Sequence, residues 1–417
     1  MTSKINFLLL IVLGLLIVAL MSQNGAVALL TIPIVFYIAA GFVLSPKNIS
    51  LNATRKMSSF RCTKGEPVIM VLTIWNSGNA IPYLSVCDPI FENQTIIEGI
   101  TEQSSYLDAN QTAELHYTFQ ASRGRYIWDK LTVEVGDPFG LFTKEVVISA
   151  PAMLSVYPEP IFLKKFPIHP GKTLRAPGPN LSRLPGHGTD FWGVREYHQG
   201  DPLRQINWRL TARHPQQFFS KEFEREEMAD IGILLDARSV TNYHFIAESL
   251  FEYSIIAASS IAQYQLKVGN RVSLLAFGDH LRQTFPGFGK HQLVKILDQL
   301  AACNPAEKDT IDTLQYIPTR LFPGESSIIL ISPLCPQDFD SIRRFRAEGY
   351  QVQVISPNPF RFLLKQLSKS DPNIFAIRTA RLEHELLLRK IKQLGVEITD
   401  WYVDQPLENS LMGRHKR

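Results

Sequence analysis

The chain has 417 residues, 45% apolar and 20% charged, with a formal net charge of +4. That balance excludes a disordered chain, and so small a charge on this length gives no footing for a nucleic-acid partner. Four cysteines (Cys62, Cys87, Cys303 and Cys335) form no C-x-x-C pair, which excludes a zinc ribbon or a thioredoxin-like redox motif and reads as reduced, partly buried thiols.

The chain opens on two apolar runs. Ile5 to Met21 is apolar except Asn6, and Ala26 to Leu44 is apolar except Thr31 and Pro33. Each is close to the roughly 20 residues that cross a bilayer as a helix. Backbone amides in hydrocarbon need partners inside the protein, so both runs are predicted helical, with Ser22-Gln23-Asn24-Gly25 as the turn of a hairpin. A cleaved signal peptide shares the layout of Lys4 and the first run, but the second apolar run follows at once. Lys4 precedes the first run; Lys47, Arg55, Lys56, Arg61 and Lys64 follow the second, and no acidic residue occurs until Glu66. Basic flanks stay cytoplasmic. The expectation is a multi-pass protein of the inner, cytoplasmic membrane with its soluble domains in the cytoplasm and the lipid bilayer as its first partner.

Residues 57–150 read as a small antiparallel β-sandwich. Val68 to Trp75, Thr112 to Gln120, Tyr126 to Val135 and Glu145 to Ser149 are short β-rich runs set between turn signals. Asp137-Pro138 with Gly140 is a turn. Residues 151–229 begin proline-dense, as a linker does. Gly171-Lys172-Thr173 has the tail of a phosphate-binding loop, but Phe166 stands where that loop needs glycine, so nucleotide binding is rejected.

The densest polar stretch runs from Gly186 to Trp208. It mixes Arg195, Asp201 and Arg204 with Trp192, Tyr197, Trp208 and the glycines 186, 188, 193 and 200. Arg–carboxylate pairs can hold such a loop rigid, and Trp and Arg also anchor protein interfaces. Two guanidinium groups at Arg195 and Arg204 could both reach Asp201 and, with Trp208, make a clamp. His187 and His198 show no metal-ligand spacing, and no nucleophile stands beside a base.

Arg195-x-Tyr197-x-x-Gly200-Asp201-x-x-Arg204-x-Ile206-x-Trp208, followed by Ala212-Arg213 and Phe223-Glu224, resembles the hallmark of the domain of unknown function 58 family. Asn207 stands where that family typically has Asp. The upstream Arg123-Gly124 and Asp137-Pro138-Phe139-Gly140-Leu141-Phe142 are similar to the way these proteins end their β domain.

From Ile231 onward, continuous apolar strands (Ile231 to Leu235, Arg271 to Phe277, Ser327 to Ile331, Val352 to Ile355, Val396 to Trp401) alternate with helical patterns at Phe245 to Leu266, Gly289 to Ala302, Phe339 to Glu348 and Leu382 to Leu394. That predicts a doubly wound α/β domain over 230–405, covered on both faces, with a basic tail at 406–417. The resemblance implies a von Willebrand factor A-like domain, many of which hold Mg²⁺ through Asp-x-Ser-x-Ser after the first strand. Here those positions are Asp236, Ala237, Arg238, Ser239 and Val240, and both required serines are missing. The third strand ends Ser332-Pro333 without a carboxylate beside the serine. The expectation is no metal and no cofactor, with Asp236 paired to Arg238 or capping its loop.

The functional expectation is a multidomain, membrane-tethered protein-binding scaffold or adaptor and not an enzyme. The resemblance implies a MoxR-type AAA+ ATPase as partner in protein maturation or remodelling; no nucleic acid and no small-molecule substrate is indicated. One alternative is a hydrolase-like enzyme using the His187, Asp190 and Asp201 region. Another is an extracytoplasmic adhesion or sensing module.

Overall fold

The computed structural model describes residues 3–166, 180–214, 216–239, 241, 244–245, 248–278, 282–305, 320–324, 326–366 and 373–412. The chain divides into two compact units, Met1–Tyr157 and Pro158–Arg417.

The first unit opens with α1 (Ser3–Ser22), α2 (Gly25–Leu29) and α3 (Thr31–Leu44). Lys4–Ser22 and Gly25–Leu44, 19 and 20 residues long, are long and apolar enough to cross a membrane. Gln23 adopts φ 48° in the turn, and the Asn24 side chain accepts from the Ala26 N–H at 3.0 Å to start α2. The second apolar run is not one uninterrupted helix, because Pro33 has no N–H for the carbonyl four residues back; Leu30 instead donates to Val27 in a tighter turn.

Nine strands follow: β1 (Leu51–Met57), β2 (Arg61–Thr63), β3 (Val68–Asn76), β4 (Ile81–Cys87), β5 (Gln94–Gly99), β6 (Glu102–Leu107), β7 (Thr112–Ala121), β8 (Gly124–Gly136) and β9 (Thr143–Tyr157). They form two sheets, β1-β3-β7-β5 and β2-β9-β8-β4-β6, antiparallel except for the β2/β9 pair. Alternation drives this arrangement: Val68, Met70, Leu72 and Ile74 point into the core against Leu115, Tyr117 and Phe119. In β8 the inward set switches from Tyr126 and Trp128 to Leu131, Val133 and Val135, because a bulge between Trp128 and Lys130 shifts the phase. Arg55, counted in the sequence among the basic residues that follow the second apolar run, lies inside this sandwich. Its guanidinium donates to Asp88 at 2.7 Å and to the Ala150 carbonyl, and the Tyr117 hydroxyl donates to the same carboxylate at 2.8 Å.

In the second unit the described part of the proline-dense segment, residues 158–166, is packed against the α/β core. Leu163 and Phe166 are buried in the α/β core, and the Ile161 N–H donates to Ser260 Oγ at 2.8 Å. The apolar residues between the prolines pin the strap down. Gly171, Lys172 and Thr173 lie outside the described residues. Next, β10 (Asn180–Glu196) and β11 (Phe219–Glu227) pair as an antiparallel ribbon, with a 3-10 turn at Leu203–Gln205 and α4 (Trp208–Thr211) between them.

The main sheet contains β12 (Asp230–Asp236), then, after a short hairpin of β13 (His244–Phe245) and β14 (Glu248–Ser249), β15 (Arg271–Phe277), β16 (Arg282–Gly287), β17 (Ser327–Ile331), β18 (Gln351–Asn358) and β19 (Glu397–Tyr402). Its order is β16-β15-β12-β17-β18-β19, parallel except for the edge strand β16. Along β12, Ile231, Ile233 and Leu235 face one layer, with α5 (Leu250–Val268) and α6 (Gly289–Ala301). Leu234 faces the other, with α7 (Asp338–Ala347) and α9 (Asn373–Gln393). A strand covered on both faces has no polar side, so its sequence is one apolar run. The chain winds outward from β12 through β15 and β16, then crosses to β17 and proceeds the other way, so the direction reverses between β12 and β17.

Besides the broken second span, the edge strand β16 and three other features differ from the sequence reading. The long helix starts at Leu250, where Ser249 Oγ accepts from the Phe251 N–H at 3.1 Å. The short α8 (Phe360–Gln366) precedes α9. The segment read as a basic tail begins as α10 (Leu407–Met412), whose Leu407 and Leu411 are buried in the core.

Candidate functional site

In open α/β sheets, ligands bind beyond the carboxyl ends of the strands where the winding reverses. Here that place is the end of β12 and β17, occupied by Asp236 and Ser332. Asp236 is fully buried and accepts at least five hydrogen bonds. Its Oδ1 takes the Arg238 N–H at 3.0 Å and Arg238 Nε at 2.9 Å; its Oδ2 takes Arg238 Nη2 at 2.7 Å, Thr241 Oγ1 at 2.9 Å and Ser332 Oγ at 2.7 Å. Arg238 Nη2 also donates to Asp338 at 2.9 Å, and the guanidinium lies 5.3 Å from the Phe277 ring centre. Asp338 opens α7 and accepts the Cys335 N–H at 2.9 Å, so it is held by a helix N-terminus as well as by the arginine.

Burial alone would lower the Arg238 pKa, but the bonds from Asp236 and Asp338 outweigh it and hold the pKa above the ordinary arginine value. Two carboxylates and two hydroxyls are the oxygen types that would suit Mg²⁺. They do not fit it here, because the Arg238 guanidinium already bonds both carboxylates. Ser239, the other residue of the degenerate motif, is exposed. Sequence reasoning missed Thr241 and Asp338. Thr241 lies five residues beyond Asp236, and Asp338 about a hundred beyond, joined to it only through the parallel β12/β17 pairing.

A pocket of about 160 Å³ adjoins these residues, lined by Thr241, Leu334, Cys335, Phe360, Glu383 and His384. His384 is 8% exposed, with Nε2 3.8 Å from Asp400. Burial, reinforced by Asp338, pushes the Cys335 thiol up to about 11.

The hallmark residues lie on the β10–β11 ribbon. Arg195, at the end of β10, donates through Nη2 to Asp201 Oδ1 at 2.7 Å, and its Nε is 2.9 Å from Glu222 on β11. The His198 N–H donates to Asp201 Oδ2 at 3.1 Å, and the Asp201 N–H returns to the His198 carbonyl at 3.0 Å. Gly200 closes this loop at φ 114°, a conformation side-chain-bearing residues rarely adopt. The hydrogen bond from Arg195, then that from His198, hold the Asp201 carboxyl below its ordinary pKa. Asn207 Oδ1 accepts from the Leu210 N–H at 3.3 Å, capping α4, a task Asp performs equally well. Tyr197 meets the Phe218 ring edge-on at 6.3 Å.

The expected four-residue clamp does not form. Arg195 reaches Asp201, but Arg204 and Trp208 are exposed. Pro202 leads into the Leu203–Gln205 turn, and buried Ile206, bridged to Ser220, anchors that turn to the ribbon. The ribbon and its turn expose Phe191 at 60%, Trp192 at 41%, Leu203 at 70%, Trp208 at 61% and Phe218 at 54%. Residues 203–214 contain Arg204, Arg209 and Arg213 and no carboxylate. The side chains of His187 and Asp190 lie outside the described residues.

Residues 193–357 match the family described as "Protein of unknown function DUF58". The match takes in the end of β10, the hallmark turn and the sheet through β18. The chain is 26% identical over 166 residues to "Uncharacterized protein YeaD" of Bacillus subtilis (strain 168), across 39% of this chain and 38% of that protein. The chain thus spans well under half the length of that relative. Among solved structures, proximal thread matrix protein 1 from the mussel byssus is 16% identical, covering 44% of this chain and 45% of that one, with a TM-score of 0.28. The CARDB domain of the PF1109 protein from Pyrococcus furiosus is 15% identical over 27% of this chain and 96% of that one, with a TM-score of 0.19. Likenesses this slight carry no argument about function.

Proposed function

We propose that the chain is a membrane-tethered protein-binding adaptor of the domain of unknown function 58 family. In this reading α1 to α3 cross the cytoplasmic membrane, both soluble units lie in the cytoplasm, and the α/β unit is a von Willebrand factor A-like platform that uses no metal. The observation that carries it is the hallmark ribbon. Arg195, Asp201 and Glu222 brace the turn while Trp192, Trp208, Leu203 and Arg204 stand in solvent. Trp and Arg exposed on a braced support are the residue types that dominate binding energy at protein interfaces. Three arginines without a carboxylate in residues 203–214 favour an acidic partner surface. The family resemblance makes that partner a MoxR-type AAA+ ATPase. Asp201, the one acid of the enzyme alternative whose side chain is described, already bonds Arg195 and the His198 N–H, which supports adaptor over hydrolase.

The test is binding of the detergent-solubilised full chain to the purified MoxR-type ATPase of the same organism. Trp208→Ala should weaken binding at least tenfold, as loss of a hot-spot residue of about 2 kcal/mol does. A wild-type chain that does not bind, or a Trp208→Ala chain that binds equally well, would overturn the reading.

A further inference from the structure

We infer that the β8–β9 turn, Asp137 to Phe142, is a lipid-contacting foot that seats the sandwich in the bilayer surface; this rests on the reading of α1 to α3 as membrane-spanning. After Asp137 the turn is Pro138-Phe139-Gly140-Leu141-Phe142, five residues without a polar side chain. An apolar turn in water is ordinary; a turn that enters lipid must also satisfy its own backbone. This one does. The Phe139 and Phe142 N–H groups donate to the Asp137 carboxylate at 3.0 and 2.6 Å. The Gly140 N–H donates to the Asp137 carbonyl at 3.1 Å, and the Asp137 N–H to the Phe142 carbonyl at 3.3 Å. Pro138 has no N–H to satisfy. The carboxylate that organises the turn is fully buried behind it.

The second observation is position. The turn lies along α3: the Phe139 ring is 4.7 Å from Tyr37, and Phe142 is 5.7 Å from Phe42. Gly41 makes room for it, since a Cβ there would sit 3.1 Å from both Asp137 Oδ2 and Leu141 Cδ1. Tyr37 is seven residues before Leu44, which places it about 10 Å down the helix axis from that end. The span from Gly25 to Leu44 has 20 residues, about 30 Å of helix and the thickness of the hydrocarbon core. It has no slack to lift those last two turns clear of the bilayer. Phe139 therefore rides at the depth of Tyr37, with 37% of its surface open. A Cβ on Gly140 would stand 3.5 Å from Lys4 Nζ, the one basic group at the start of α1, which marks the headgroup level.

The experiment places the photo-crosslinker p-benzoylphenylalanine at Phe139, at Phe36 within the span, or at exposed Tyr106 on β6, in the full chain reconstituted in phosphatidylethanolamine–phosphatidylglycerol nanodiscs. Lipid adducts should form at 139 and 36 and be absent at 106. Gly41→Leu, which crowds the turn off α3, should remove most of the adduct at 139 and leave that at 36. Adduct at 36 without adduct at 139 would overturn the foot and leave the anchor standing. No adduct at 36 would overturn the anchor and the foot together. Adduct at 106 as strong as at 139, or an adduct at 139 indifferent to Gly41→Leu, would also overturn the foot.

Discussion

Replacing Arg238 with methionine keeps most of its volume and removes its charge. The guanidinium is 2% exposed and bonds Asp236 and Asp338, whose side chains are 0% and 4% exposed. Losing one partner of a buried ion pair leaves an uncompensated charge in a low-dielectric interior, which costs roughly 3–5 kcal/mol. At about 2–4 °C per kcal/mol for a unit of this size, the α/β transition should fall by roughly 6–20 °C. The assay is thermal unfolding of the full chain in nanodiscs, with hydrogen exchange locating the loss to the ends of β12 and β17. A second arm separates charge from packing. Arg238→Met with Asp236→Asn and Asp338→Asn removes both orphaned charges, so the triple variant should recover part of the loss; coupling of that sign marks contacting groups. In Arg238→Ser, added Mg²⁺ at millimolar concentration should raise the transition, because two carboxylates and the Thr241 and Ser332 hydroxyls then surround a place with no cation of its own. An Arg238→Met chain that melts within 2 °C of wild type, a margin of about 1 kcal/mol, would refute the ion-pair account.

Asp201 has a pKa depressed by Arg195, so its stability contribution is full at neutral pH and is lost as pH falls through that lowered value, below 3.8. Asp201→Asn should therefore melt lower than wild type at pH 7, with the two curves converging in acid; a constant gap at all pH values would contradict the pairing. Burial pushes the Cys62 and Cys335 thiols up to about 11, while Cys87 is exposed. Iodoacetamide at pH 8, read by mass spectrometry, should modify Cys87 far faster than the other two. The same raised values leave stability unchanged below pH 9 and erode it between 9 and about 11, because the unfolded thiols ionise first. For topology, a reporter active only outside the cytoplasm and fused after Arg417 should stay silent. Neutralising Lys47 and Lys56 should weaken that orientation without unfolding the sandwich, whereas Arg55→Ala should destabilise it by stranding Asp88.

Much of the architecture was legible because it rests on local periodicity. The apolar runs at 5–21 and 26–44, the alternation of β3 and β7, and the continuous runs of β12 and β17 each state their own environment within a few residues. The failures share a cause. Pro33 interrupts the second span through a bond it cannot make. β16 is a short edge strand ending Pro286-Gly287, with no buried run to announce it. α10 looked like a tail because two buried leucines among polar residues gain meaning only from the core they enter.

The site divides the same way. That Asp236 lacks its serines and has an arginine two residues on is visible in the sequence, as is the hallmark from Arg195 to Trp208. That Arg238 bonds two carboxylates needed Asp338, a hundred residues away, and only the β12/β17 pairing places it there. Arg195 and Arg204 had equal claims on Asp201 by spacing. The Pro202-led turn, anchored by Ile206, left the pair to Arg195 and put Arg204 and Trp208 in solvent. Charge and residue type are properties of a sequence; which charge meets which, and which side chain stays in water, depends on segments distant in the chain and is decided when they pack.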